Sequence, residues 1–144
     1  MPNPTYKRPE SVLLVIYSTD GHVLMLRRRH PHDFWQSVTG SLEWGETAQQ
    51  AARRELHEET GLTGEPEPTG VVNRFAILPA WRHRYAPDVE ANVEQVFRYA
   101  LPEPRPVVLN PEEHAEFCWL PAAEAAALAT SYTNRAAIEA LFGR

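Results

Sequence analysis

The sequence predicts an α/β fold in which helices pack on a mixed β-sheet, and two observations support this class. Apolar segments with the length and β-branched content of strands alternate along the chain with segments that have a helical period. The best-defined helical segment also carries start and end signals. Because strands and helices are interleaved rather than grouped, a layered α/β arrangement is the class that fits.

The first strand candidates lie before residue 41. Residues 12–18 form a continuous apolar run that predicts a buried strand, and Thr19-Asp20-Gly21 supplies the turn to a returning strand at 23–26. The segment FWQSVTG (34–40) predicts a third, short strand that stops at a glycine.

The next element is a helix predicted over Ala48 to Thr60. Thr47 occupies the N-cap position, and Gln50 stands three residues later as its capping-box partner. Gly61 is placed where a helix-ending glycine is expected.

The second half of the chain predicts three more strands, at 71–78, 93–101 and 117–120. An alanine-rich segment at 121–130 and the segment 135–142 then predict two helices. Thr133 is the predicted N-cap of the last helix.

Composition limits the function classes that need to be considered. The 144 residues suit one domain over the whole chain, 1–144, and the net charge of −5 argues against nucleic-acid and membrane-surface partners. Cys118 is the only cysteine, which excludes an intrachain disulfide and a multi-cysteine zinc site. With no apolar run long enough to span a bilayer, the sequence predicts a cytoplasmic protein. The oligomeric state is left open.

The helix predicted at 48–60 carries glutamates on the side that should be buried. At about 100° per residue, alanines and Leu56 define its apolar stripe. Glu55 and Glu59 fall within that stripe and Glu58 lies at its edge, so three like charges crowd on one surface. Burying such charges unpaired is costly.

These carboxylates predict a metal site rather than the solvated acidic face that most charge clusters form. The core-facing side of a helix is normally apolar, and a functional site is expected where charged residues break that pattern. Converging carboxylate oxygens beside a cleft suit Mg²⁺. Arg54, one turn before Glu58, is placed to orient that carboxylate.

A longer window around these glutamates matches a known motif. From residue 40 to residue 62 the chain fits G-x5-E-x7-R-E-U-x-E-E-x-G-U without a mismatch. The fixed positions are Gly40, Glu46, Arg54, Glu55, Leu56, Glu58, Glu59, Gly61 and Leu62. This pattern resembles the Nudix box, the loop–helix–loop signature of the Nudix hydrolase family.

The resemblance implies both a fold and a chemistry. The implied fold is a Nudix-type α/β/α sandwich with a mixed β-sheet, and the implied reaction is Mg²⁺-dependent hydrolysis of a diphosphate linkage, with Mn²⁺ as a possible substitute. It assigns metal ligation to Glu55, Glu59 and the backbone carbonyl of Gly40. Glu58 becomes an additional ligand or the base that orients water, with Arg54 beside it in the catalytic group.

More of the chain resembles the Nudix hydrolases that act on dihydroneopterin triphosphate in folate biosynthesis. The matching pieces, in order, are YKRP (6–9), VLML with the following arginines (23–29), DFWQSVTGS (33–41), RHRYAP (82–87), EH (113–114) and the S-x-x-NR-x-x-IE run from 131. The implied products are dihydroneopterin monophosphate and pyrophosphate. The segment 63–80 matches poorly.

This second resemblance implies further site residues. Glu113 would be an additional metal ligand, although Glu112 and Glu116 compete with it in the sequence. The implied substrate contacts are Lys7, Arg28, Thr39, Phe75, Ala76, Ile77, Leu78 and Ser131. Cationic and hydroxyl donors suit a triphosphate, and Phe75 offers a flat apolar surface for a bicyclic ring. Phe75 could equally be a core residue, and Ser131 a cap before the last helix.

Two other functions compete with this hypothesis. A nucleotide-pool enzyme acting on ordinary or oxidised nucleoside triphosphates would use the same box, because purine and pterin rings are similar in size. A non-catalytic module that binds a nucleotide would share the fold, but loss of the glutamates should mark it, and all of them are present.

Overall fold

Seven strands within residues 5–142 meet in one sheet that has helices on both faces. The computed structural model describes residues 5–142. The elements are β1 Glu10–Ser18, β2 His22–Arg28, β3 Trp35–Gln36, β4 Val38–Ser41, α1 Ala48–Thr60, β5 Glu67–Ala76, a 3₁₀ helix Pro79–Arg84, β6 Ala91–Leu101, β7 His114–Pro121, α2 Ala122–Leu128 and α3 Tyr132–Leu141.

The central strand of the sheet is β1. It runs parallel to β6 along its whole length and antiparallel to both β2 and β4, and β5 extends the sheet beyond β6. On the other side, β2 pairs with β3 and β7. A strand with neighbours on both edges and helices on both faces is buried over most of its length, which is why β1 appears in the sequence as a continuous apolar run.

The two faces of the sheet carry two separate apolar clusters. On one face, Val12, Leu14 and Ile16 of β1 pack with Leu56 of α1. On the other face, Val15 packs with residues of α2 and α3. The result is the predicted α/β/α sandwich with a mixed sheet. No helix within residues 5–142 is long and apolar enough to cross a membrane.

The structure corrects the predicted elements at three places. The segment 34–40 forms two strands rather than one, because the chain changes partner from β2 to β1 at Ser37, whose N–H donates to Asn134 Oδ1 at 2.7 Å. The last helix begins at Tyr132 and is capped by Ser131, not Thr133. The 3₁₀ helix at 79–84 was not predicted.

Candidate active site

Helix α1 presents the glutamates of the site. It begins at a complete capping box, since the Thr47 side chain accepts from Gln50 N and the Gln50 side chain accepts from Thr47 N. It ends at Gly61, whose φ of 76° is left-handed and therefore favours glycine. Within these limits Glu55 and Glu59 lie on the buried side, with 7% and 6% of their surface exposed.

Three carboxylates of α1 converge on one point. Ligand oxygens from Glu55, Glu58 and Glu59 all lie within 4.8 Å of one another, with Glu58 exposed and the other two buried. Glu59 Oε1 is buried and has no hydrogen-bond partner among the residues that the structure describes; His114 Nε2 lies 3.1 Å away without the geometry of a hydrogen bond. A buried carboxylate oxygen without a donor, beside two other carboxylates, fits a divalent cation, which takes oxygen ligands and cancels their repulsion.

Burial and the neighbouring charges set the electrostatics of Glu55. Desolvation raises the pKa of Glu55 to about 8, and the charges of Glu59 and Glu58 act in the same direction against the opposing guanidinium of Arg54. A dication at these oxygens would favour the ionised carboxylate.

The position of β4 explains the glycine of the motif. A side-chain carbon built on Gly40 would overlap the carboxylate of Glu55, so only glycine lets the strand approach this closely. Gly40 pairs with Val12 of β1, which places it on the face that α1 covers. The backbone of Gly40 therefore lies directly against the acidic cluster.

Arg54 connects the loop before α1 to the carboxylates. It forms a bidentate pair with Glu46, with both N–O distances at 2.8 Å, and the contact raises the pKa of Arg54 and lowers that of Glu46. Its Nη1 also donates to Glu55 at 3.0 Å and to Glu58 at 3.2 Å. Its Nη2 donates to the carbonyl of Ser41 at 3.1 Å, so one guanidinium fixes both helix and loop.

A group of cations lies beside the acidic cluster. The backbone N–H of Lys7 donates to the carbonyl of Arg84 at 2.8 Å, and its ammonium lies 6.0 Å from the ring centre of Tyr85. Desolvation, followed by repulsion from Arg84 and Arg28, lowers the pKa of Lys7, while Glu113 and Glu55 raise it. Lys7 is therefore within electrostatic reach of both the arginines and the carboxylates.

Glu113 is not one of the three converging carboxylates, but it faces the same region. Its charge acts on Lys7 together with that of Glu55, and its carbonyl accepts from Arg29 N at 2.9 Å. Glu116 is engaged elsewhere, in an ion pair with Arg27 at 2.6 Å. The geometry therefore favours Glu113 over Glu116 as the extra ligand, and the assignment stays a prediction.

The remaining predicted substrate contacts lie at and around the opposite face of the sheet. Thr39 pairs with Leu13 of β1 and accepts from Gln36 Nε2 at 3.3 Å. Phe75, near the end of β5, is partly exposed, and Ser131 caps α3. The structure thus places these three residues around one end of the sheet.

The segment after Phe75 alternates in exposure. Ala76 and Leu78 are exposed, the latter at 59%, whereas the side chain of Ile77 belongs to the core at 7%. The predicted contact segment therefore has two exposed side chains with the buried side chain of Ile77 between them.

Sequence reasoning missed three residues of this region. Arg84 lies in a segment that the motif search singled out, but no signal separated it from the neighbouring arginines. Asn92 and Glu94 lie on β6 with 5% and 6% exposure. Asn92 and Glu94 alternate with the apolar Ala91 and Val93, and this alternation was the signal that could have revealed them.

Comparisons with known proteins agree with this geometry. The NUDIX domain model matches residues 7–141. The chain is 49% identical to Escherichia coli K12 dihydroneopterin triphosphate diphosphatase over 96% of this chain and 95% of that protein, and 39% identical to the Haemophilus influenzae protein of the same name over 93% and 87%. The structure of the E. coli dihydroneopterin triphosphate pyrophosphohydrolase superimposes with a TM-score of 0.86 and 48% identity, covering 94% and 96% of the two chains. The chain belongs to the Nudix hydrolase family, whose members use divalent metal ions.

Proposed function

We propose that this Nudix hydrolase converts dihydroneopterin triphosphate and water to dihydroneopterin monophosphate and pyrophosphate, with Mg²⁺ as its metal. The observation that carries the substrate is the 49% identity to a protein of that activity over nearly the full length of both chains. The converging glutamates of α1 support the reaction type.

The acidic cluster supplies the metal ligands in this proposal. Glu55 and Glu59 offer buried oxygens, Gly40 offers its carbonyl from β4, and Glu113 adds a carboxylate from the start of β7. Mn²⁺ would be accepted by the same oxygen donors. When bound, the metal neutralises phosphate oxygens and lowers the pKa of the attacking water.

The residues around the metal position the substrate and move the proton. Glu58, exposed at the edge of the cluster and held by Arg54 at 3.2 Å, accepts the proton of the attacking water at a carboxylate oxygen. The P–O–P bond between the α and β phosphorus atoms breaks, and pyrophosphate leaves. Lys7 and Arg28 donate to the phosphate oxygens and stabilise the charge that develops on them.

The ring of the substrate lies on the other side of β1 in this arrangement. Thr39 and Ser131 offer hydroxyl groups, and the partly exposed ring of Phe75 offers an apolar wall. The exposed side chains of Ala76 and Leu78 continue that wall. Specificity for the ring therefore lies apart from the metal cluster.

A turnover panel tests the proposal. Purified protein with Mg²⁺ is given dihydroneopterin triphosphate and the common and oxidised nucleoside triphosphates, with and without added inorganic pyrophosphatase. We expect the largest kcat/KM for the pterin, with inorganic phosphate appearing only when pyrophosphatase is present. Equal or faster turnover of a nucleoside triphosphate would refute the assignment of the pterin as the substrate. Release of inorganic phosphate without pyrophosphatase would refute cleavage between the α and β phosphorus atoms.

Matched variants tie the activity to the cluster. Glu59→Gln preserves the shape of the side chain but removes the charge, so it should abolish most turnover. Glu65→Gln, which alters a surface carboxylate paired with Arg53, should leave turnover unchanged. Equal activity of both variants would remove Glu59 from the site.

A further inference from the structure

Two buried polar side chains on β6 have no role in the metal chemistry. Alternate residues of a strand point to the same face, so Asn92 and Glu94 share one face of the sheet. They are only 5% and 6% exposed. Buried amide and carboxyl groups are costly unless they have partners, so their retention calls for an explanation.

The partners of Glu94 are neutral. Its Oε1 accepts from Asn73 Nδ2 at 3.1 Å, and the Thr133 hydroxyl also bonds to it. Desolvation raises the pKa of Glu94, against which these two hydrogen bonds act. A carboxylate has about four lone-pair sites, so capacity for further N–H donors remains.

Asn92 has an acceptor that nothing in the described chain satisfies. Its Nδ2 donates to Ser11 Oγ at 2.8 Å, which fixes the amide with Oδ1 on the other side. Oδ1 is buried and has no hydrogen-bond partner within residues 5–142. An unpaired buried acceptor beside a buried carboxylate indicates a ligand that brings N–H donors.

These two residues lie among the substrate contacts proposed above. Asn92 pairs directly with Phe75 across β5 and β6, and Glu94 connects through Thr133 to the hydroxyl of Ser131. Ser11, the β1 partner of Glu94, pairs on its other edge with Ser41, next to the glycine of the metal site.

The distance to the chemistry is short. Two inter-strand steps, about 10 Å, separate β4 from β6. The carbonyl of Pro9, two residues beyond Lys7, accepts from Val93 N at 3.0 Å, which joins this strand to the cationic group. A bicyclic ring with its triphosphate chain is longer than this separation between the two strands.

We propose that Glu94 and Asn92 recognise the 2-amino-4-oxopyrimidine edge of the substrate ring, the edge that pterins share with guanine. This inference rests on the proposed function and identifies the residues that give it specificity. The edge presents one ring N–H and two N–H bonds of the amino group. The carboxylate of Glu94 accepts the ring N–H and one amino N–H, and Asn92 Oδ1 accepts the other. Adenine presents a ring acceptor at the equivalent position, which would face the carboxylate unpaired.

The test compares substrates rather than absolute rates. Wild type and Glu94→Gln are assayed with dihydroneopterin triphosphate, dGTP and dATP. Glutamine keeps one acceptor oxygen without the charge and replaces the other with a donor, which predicts a fall of about 100-fold in kcat/KM for the pterin and for dGTP. For dATP the value should hold or rise, because a glutamine amide donates to the ring nitrogen of adenine and accepts from its amino group. An equal fall for all three substrates would show a structural role and overturn the proposal.

Two further variants keep the test decisive. Asn92→Ala removes one acceptor, so it should lower the dGTP to dATP ratio of kcat/KM by about tenfold even if Glu94→Gln fails to fold. Glu67→Gln changes an exposed carboxylate paired with Arg98 and should leave all ratios unchanged. An unchanged ratio in both Glu94→Gln and Asn92→Ala would refute the assignment.

Failure of the proposed function gives a different result. If wild type hydrolyses dGTP as well as the pterin, the pterin assignment fails, while the dGTP to dATP ratio still tests Glu94. If nothing is hydrolysed, the dissociation constants of dGTP and dATP are measured by calorimetry, and their ratio reports on the same residues. A wild-type protein that binds dATP as tightly as dGTP would overturn the inference.

Discussion

Replacing Glu55 by Gln should make the metal-free protein more stable while destroying its activity. Burial raises the pKa of Glu55 to about 8 from a usual value of 4.5, so the folded state favours the protonated carboxyl. The unfolded chain ionises above pH 4.5, and folding must oppose that ionisation. Stability from this group is therefore fully present below pH 4.5 and is lost as the pH rises toward 8.

The structure gives the size of the effect. Each pH unit between 4.5 and 8 lowers the free energy of unfolding by about 1.4 kcal/mol. At pH 7 the total loss of stability from this group is about 3 kcal/mol. Gln has the same shape, still accepts from Arg54 and never ionises, so Glu55→Gln should recover most of this free energy. For a domain of this size the gain corresponds to about 5–10 °C in Tm.

The assay is thermal unfolding in a metal chelator at pH 5 and pH 7.5. The variant should be clearly more stable than wild type at pH 7.5 and by under about 1 kcal/mol at pH 5, where the folded carboxyl is protonated and the pH is only slightly above the unfolded pKa. Added Mg²⁺ should stabilise wild type more than the variant, since the charged ligand is gone. A variant no more stable than wild type at pH 7.5, or equally stabilised at both pH values, would refute the reasoning. Glu67→Gln, at the surface, serves as the control.

Five other substitutions, in three tests, probe the rest of the site. Gly40→Ala places a methyl group against the adjacent carboxylate and should lower kcat by about 100-fold with little change in KM for the triphosphate, measured by steady-state kinetics. Lys7→Met should instead raise KM for the triphosphate by about tenfold, because one phosphate donor is lost; an unchanged KM would place the ammonium outside the site. Among the single replacements of Glu112, Glu113 and Glu116 by Gln, the largest loss of turnover should fall on Glu113, and an equal or smaller loss there would exclude it as a ligand.

The parts of this molecule that local chemistry specifies were predictable from the sequence. Helix α1 has its predicted limits because its cap residues and its closing glycine act within a few positions of one another. The acidic cluster was predictable for the same reason, since Glu55, Glu58 and Glu59 lie within two turns of one helix.

The parts that depend on strand pairing were not predictable from the sequence. The segment 34–40 divides into β3 and β4 because the two halves find different partner strands, which no local pattern encodes. Arg84 comes near Lys7 only through a backbone hydrogen bond between distant segments. Glu94 acquires its partners from β5 and α3, far from it in the chain.

The two halves of the site meet at β1, which explains why one half carries a clear motif and the other does not. Alternate residues of this strand face opposite sides, so Val12 supports α1 and the metal cluster while Ser11 and Leu13 lie under the proposed ring site. Changes at one set of positions leave the other set in place. Three of the carboxylates for the phosphate chemistry lie on a single helix, and this gives that half of the site a compact motif. Ring recognition requires only acceptors of the right kind from any strand that borders the face, so its residues are dispersed and substrate preference can change without disturbing hydrolysis.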